Sequence, residues 1–202
     1  MINAMILGLF GGRKDTRIDG LYAAIMAQAR QPSLYTDHEV PDTLNGRFEL
    51  LLLHVILVLY RLKSEDAATR EKGRQLSERF FTDMDGTLRE MGVGDLSVPK
   101  KIKKMAKAYF GRLGAYDGAL DHDADQPEDL VAVIDRNVFP DAANLGAAAT
   151  LAAYVRATER ALAATSVEDV LGARIAWPDP AAFADAGGES GAGETGQVEE
   201  TP

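Results

Sequence analysis

Asp83-Met84-Asp85-Gly86-Thr87 comes closest, in this 202-residue chain, to a known reaction centre. The string has the form DxDGT, in which a first carboxylate attacks a phosphoryl group and a second handles the leaving-group proton. That chemistry needs the aspartates at the end of a parallel strand, where backbone amides can hold phosphate. Here Arg79-Phe80-Phe81-Thr82 precedes them inside a helical pattern, and the βαβ alternation of such a fold is absent from the chain. A phosphatase is kept only as a remote alternative.

Other chemistry is thinner still. Asp121-His122-Asp123-Ala124-Asp125 imitates the start of a calcium loop, but Gln126 stands where glycine is needed and Ala132 where glutamate is needed. An acidic loop is the better account. The three histidines, His38, His54 and His122, lack ligand spacing, and His54 in an apolar run reads as a core histidine bonded to a neighbour. A haem-ligand reading of His54 has no second ligand in sight. With no cysteine, disulfides, thiol nucleophiles and cysteine-bound metals are excluded. No catalytic residues, metal ligands or cofactor site are assigned, and the chain is read as not an enzyme.

The strongest signal is electrostatic. Between Ser97 and Leu113 stand Lys100, Lys101, Lys103, Lys104, Lys107 and Arg112, with no acidic residue, in a protein of net charge −9. Residues 1–116 hold 18 basic and 14 acidic side chains, a net of +4, and residues 117–202 hold 4 and 17, a net of −13. Clustered like charges repel, so such an island marks either a solvated face or a surface made to meet an anionic partner. RNA, the ribosome and lipid headgroups all qualify. A dedicated DNA reader does not, since the chain is acidic overall and has no recognisable module.

The elements that must position these residues are helical almost throughout. Asp19 can cap a helix carrying Leu21, Tyr22, Ile25, Met26 and Ala29, ending near Gln31-Pro32. A polar connection spans Ser33–Pro41. Asp42 or Thr43 caps a second helix with Leu44, Phe48, Leu51, Leu52, Val55, Leu59 and Leu62 at helical spacing, apolar on all sides between 50 and 60 and so central. Ser64 starts a third, which Gly92-Val93-Gly94 ends. Ser97 and Pro99 start a fourth. Later helices are expected at Glu128–Asn137, Ala142–Ala164 and Val167–Leu171, the last capped by Ser166.

On a wheel of about 100° per residue, Ile102, Met105, Tyr109, Leu113, Tyr116 and Leu120 of the fourth helix form one buried stripe. Lys100, Lys103, Lys104 and Lys107 oppose it, and Gly111, Gly114 and Gly118 continue their side. Each glycine costs a helix about 1 kcal/mol against alanine. Close packing by another helix, fraying toward Asp121, or a partner's close approach would each explain them. Phe110 falls about 80° from Ile102, off the buried stripe, as a candidate exposed contact.

The architecture expected is all-α: one compact multi-helix domain over 19–180, a flexible N-terminus over 1–18 and a disordered acidic tail over 181–202. The apolar run Leu50–Tyr60 would extend only about 16 Å as a helix, against a hydrocarbon core of about 30 Å. At the N-terminus Ile2, Met5, Ile6, Leu9 and Phe10 precede Arg13, Lys14 and Arg17, the reverse of a signal peptide. They could make a weak membrane-surface contact, with the basic residues on headgroups.

Two strings, RFELLLLHVILVLYRL at Arg47–Leu62 and DMDGTLREMGVGDLSVPKKIKKMAKAYFGRLGAYD at Asp83–Asp117, resemble the ubiquinol–cytochrome c chaperone family. The likeness spans about Leu21 to Trp177, and the absence of a long presequence suits a bacterial member. The resemblance implies an all-α, non-catalytic assembly chaperone for respiratory complex III. Such a protein would receive newly made cytochrome b, in the cytoplasm or peripherally on the inner membrane. The basic helix then becomes the expected docking surface, through Lys100, Lys101, Lys103, Lys104, Lys107, Phe110 and Arg112, for client, ribosome or anionic membrane. Asp83, Asp85, Arg89 and Asp95 are expected to hold the turn around Gly92 and Gly94. The alternative is a ribosome- or RNA-associated module without a membrane client.

Overall fold

The computed structural model describes residues 16–121 and 129–185. Over them the chain is helical, with eight α-helices, one 3-10 turn and no strand. Capping chemistry sets most boundaries. Helix α1 runs Thr16–Ala29. Asp19 lies within it rather than capping it, and receives the Arg79 guanidinium at 2.9 Å. The expected polar connection contains a single helical turn, α2, Ser33–Thr36; Pro32 already has helical φ and ψ, and Leu34 is buried. In α3, Leu44–Leu62, the Thr43 hydroxyl oxygen accepts the Gly46 amide at 3.1 Å. That makes Thr43, not Asp42, the cap.

Helix α4, Ala67–Glu90, starts after Asp66 rather than at Ser64, because the Asp66 carboxylate takes the Thr69 amide at 2.7 Å. Negative charge is favoured at that end of a helix. Helix α5, Val98–Leu120, begins after Ser97 with Pro99 in its first turn, although the Ser97 side chain makes no capping bond. Asp129 and Asn144 cap α6, Leu130–Val138, and α7, Leu145–Ala164, moving both starts slightly later than expected. Helix α8, Val167–Leu171, is capped by Ser166 as its sequence indicates.

Helix α3 is the axis of the domain. Every residue from Leu50 to Val58 is buried, and α1, α4, α5, α6 and α7 all touch it. Each of its fully buried leucines contributes about 2 kcal/mol of hydrophobic stabilisation. His54 sits in this apolar column with both ring nitrogens satisfied. Nδ1 donates to the Leu50 carbonyl at 2.7 Å, which fixes the tautomer, and Nε2 accepts from the Tyr154 hydroxyl at 2.8 Å. Burial pushes the His54 imidazole down to about 4. It is a core histidine, as expected.

The same network ties down the C-terminal segment. Gln28 donates to Tyr154 Oη and to the Pro178 carbonyl, and His38 bridges Thr150 and the Pro180 carbonyl at 2.9 Å each. The 3-10 turn Pro180–Phe183 is thereby held on α7, with the Phe183 ring 6.1 Å from Tyr154. The packed domain therefore continues past residue 180, where the sequence suggested that a tail begins. The apolar residues of the expected N-terminus and the acidic stretch 186–202 lie outside the described residues. Arg17, expected near headgroups, pairs with Glu168 at 3.1 Å.

A basic helix face as the candidate functional site

One side of α5 is fastened to the core by three kinds of contact. Tyr109 enters an aromatic cluster, 6.0 Å from Phe80 and 5.1 Å from Phe81, and its hydroxyl meets Ser77 Oγ at 2.8 Å. Arg112 forks onto Glu49 of α3, Nε to Oε2 at 3.1 Å and Nη2 to Oε1 at 2.8 Å. Tyr60 donates to the Leu120 carbonyl at 2.8 Å. The buried stripe expected from the wheel is present: Ile102, Tyr109, Tyr116 and Leu120 are buried, with Met105 and Leu113 half-buried.

The opposite side carries the charge. Lys100, Lys101, Lys103, Lys104 and Lys107 are all exposed, and among the described residues none makes an ion pair or hydrogen bond. Elsewhere many basic side chains are matched: Arg47 with Asp42, Arg61 with Glu65, Lys63 with Asp117, Arg74 with Glu71, Arg79 with Asp19, Arg174 with Asp169. Lysines at i,i+3 and i,i+4 repel by a few tenths of a kcal/mol per pair. Along α5 this repulsion has no internal compensation.

Arg112 does not belong to that face. Its side chain is 26% exposed and Glu49 is 3% exposed, so the pair is an internal clamp between α3 and α5. Burial holds the Glu49 carboxyl above its usual range, with Arg112 opposing the shift. Phe110 is exposed, as the wheel indicates, with its ring edge-on to Tyr109 at 5.2 Å. Gly111 and Gly114 are exposed, and a Cβ at either position would meet nothing within 4 Å. Packing by another helix of the chain does not explain them, and neither does fraying, since α5 continues to Leu120.

The turn before α5 is a defined structure. Val93 N bonds Leu88 O at 3.0 Å, and Gly92 N bonds Arg89 O at 2.9 Å with Gly92 at φ +77°. This is the Schellman arrangement, which satisfies the last carbonyls of α4 and needs glycine at the left-handed position. Arg89 ties helix to turn, reaching Asp85 and Asp95 at 2.6 Å each. Asp83 does not take part. It accepts the Tyr22 hydroxyl at 3.0 Å and faces Arg79. The two DxDGT aspartates thus lie mid-helix in α4, facing different neighbours and far from any strand end. The turn also displays two side chains that sequence reasoning passed over, Leu96 at 91% and Met91 at 54% exposure. Aliphatic residues in a turn just ahead of a lysine run were the available signal.

Among the described residues no group of three His, Asp or Glu side chains could hold a metal ion, and no helix is long and apolar enough to cross a membrane. The calcium-like loop lies outside the described residues beyond Asp121. Fold and surface together define an all-helical domain with a polybasic face. The chain belongs to the ubiquinol–cytochrome c chaperone family, whose model matches residues 36–177. It is similar to the Cbp3 homolog of Brucella abortus, whose crystal structure superposes with a TM-score of 0.72 at 39% identity, covering 82% of this chain and 90% of that one. It is also similar to ubiquinol-cytochrome-c reductase complex assembly factor 1 of Xenopus laevis, 23% identical over 97 residues. The mouse protein of that name is 26% identical over 97 residues. The matched stretch is 48% of this chain, about half of the frog protein and a third of the mouse protein.

Proposed function

We propose that this chain is a non-catalytic assembly chaperone that engages newly made cytochrome b during biogenesis of ubiquinol–cytochrome c reductase. The family match across residues 36–177 carries the reading, and the names of the frog and mouse relatives support it. The chain would hold its client by surface contact from the membrane side of the cytoplasm, with the outward face of α5, the five lysines and Phe110, as its docking surface. Association with a hydrophobic, membrane-destined client suits a protein that gathers five unmatched lysines on one helix face.

The test is a deletion strain. Reduced-minus-oxidised spectra of its membranes should lose the b-type signal of complex III while the cytochrome b transcript is unchanged. A tagged chain restored to that strain should co-purify newly labelled cytochrome b. Normal complex III in the deletion strain would overturn the reading, as would rescue without any cytochrome b in the purified complex. Normal complex III together with salt-sensitive RNA binding would instead favour the ribosome-associated module.

A further inference from the structure

We infer that the corner formed by the α4–α5 turn and the first two turns of α5 is a docking site for an anionic bilayer surface, with Leu96 and Met91 entering the headgroup layer. This rests on the membrane-side placement proposed above and names the lipid surface that the first turns of α5 meet while the client is held.

Three observations carry it. The first is charge. From Arg89 to Lys107 the chain has six basic and two acidic residues, a net of +4 in a protein of −9. Asp95, one of those acids, is turned onto Arg89, while the five lysines have no partner among the described residues. From Lys100 to Lys107 the helix rises only about 10 Å, so the lysines can reach one patch of headgroups together. The second is apolar exposure. Leu96 is 91% exposed one turn before Lys100, and Met91 lies across the same turn. A polybasic segment beside exposed aliphatic side chains is how a protein lies on a membrane without spanning it. The third is rigidity. The Schellman bonds, the Ser97 amide on the Gly94 carbonyl at 2.7 Å, and the Arg89 bridge fix the turn before any partner arrives. Little ordering entropy is then lost on contact.

RNA is the less suitable occupant. Single-stranded RNA is held by aromatic or guanidinium stacking as well as charge. The unmatched cations here are lysines, and Arg89 is engaged by Asp85 and Asp95. The exposed apolar groups at the turn are aliphatic, with the exposed ring of Phe110 lying further along α5.

Flotation of the purified full chain tests the inference with two vesicle types, pure phosphatidylcholine and a three-to-one mixture of phosphatidylcholine and phosphatidylglycerol. The chain should float with the mixed vesicles only. Each lysine near such a surface strengthens binding about fivefold, so the variant K100E/K101E/K103E/K104E should bind more than about a hundredfold more weakly at unchanged helicity. Leu96→Ser, which alters no charge and no buried contact, should also weaken binding. Because the chain lacks cysteine, Leu96→Cys takes a single environment-sensitive dye. Its emission should shift blue on mixed vesicles. Dye on Ser64→Cys, exposed near the far end of α5, should not shift. Equal flotation with both vesicle types, lysine reversal without effect, or an unshifted Leu96 dye would overturn the inference. So would tight binding of polyuridylate by a chain that binds no vesicles. None of these outcomes depends on cytochrome b, so the result separates this inference from the client assignment.

Discussion

Arg112→Ala is the perturbation that most directly probes how α5 is held. The guanidinium spans from α5 to α3 and makes a two-point contact with a carboxylate that is 3% exposed. Removing it leaves Glu49 desolvated and unmatched. Breaking a buried pair from one side costs about 3–5 kcal/mol. Arg112 is itself 26% exposed, so water replaces part of the contact, and about 2–4 kcal/mol is expected. In a domain of this size that lowers Tm by about 5–15 °C. The pH dependence identifies the cause. Burial already raises the folded carboxyl of Glu49 above its unfolded value, and Arg112 restrains the shift. Without Arg112 the folded state binds the proton more tightly than the unfolded state does. The stability from Glu49 is then present below about pH 4 and is lost as pH rises through the raised folded value. The deficit of the variant should therefore be larger at pH 8 than at pH 5. Adding Glu49→Gln should recover part of it at pH 8. Urea unfolding followed by far-ultraviolet circular dichroism at both pH values measures this, with Lys104→Ala as an exposed control expected within about 0.5 kcal/mol of the parent. A deficit below about 0.5 kcal/mol, or one that grows toward acid, would refute the assignment of Arg112 to an internal clamp.

Two further outcomes follow from the packing. The His54 imidazole is buried neutral, with its folded value down to about 4 against an ordinary 6.5. The unfolded chain therefore binds the extra proton first, and stability should fall by about 2 kcal/mol between pH 7 and pH 5 from this group. His54→Gln should flatten that slope in the same urea titration, and an unchanged slope would mean that another group causes it. A contrasting glycine pair tests local space. In Gly46→Ala the new Cβ would lie 2.0 Å from the Pro41 carbonyl oxygen, so a loss of about 1–3 kcal/mol is expected. Gly114→Ala meets nothing within 4 Å and should gain about 0.5–1 kcal/mol. Thermal unfolding of both variants checks this, and shifts of the same sign would count against it.

Much of the fold was legible because its causes are local. The period of apolar residues marks α3 as central and puts Ile102, Tyr109, Tyr116 and Leu120 on the inner side of α5, since 3.6 residues per turn places them on one face whatever surrounds the helix. Glycine at Gly92 announces the end of α4 for a similar reason: the left-handed position costs every other residue strain. The run of lysines without acids was equally plain. What a charged residue meets is another matter, because its partner can come from anywhere in the chain. Arg112 reads as one more cation of the basic island, yet its carboxylate lies 63 positions away on α3. Asp83 reads as part of the turn, yet it faces Tyr22 across a helix interface. Residues 181–183 have the composition of a tail, but Gln28 and His38, some 150 and 142 positions distant from the carbonyls they reach, bring their turn onto the core. Helix formation and burial are written in neighbouring residues. Which charges are matched, and which side chains, the five α5 lysines and Leu96 among them, are left to face outward, is decided only when the helices pack, because ion pairs and hydrogen bonds form over about 3 Å between groups that the sequence alone does not bring together.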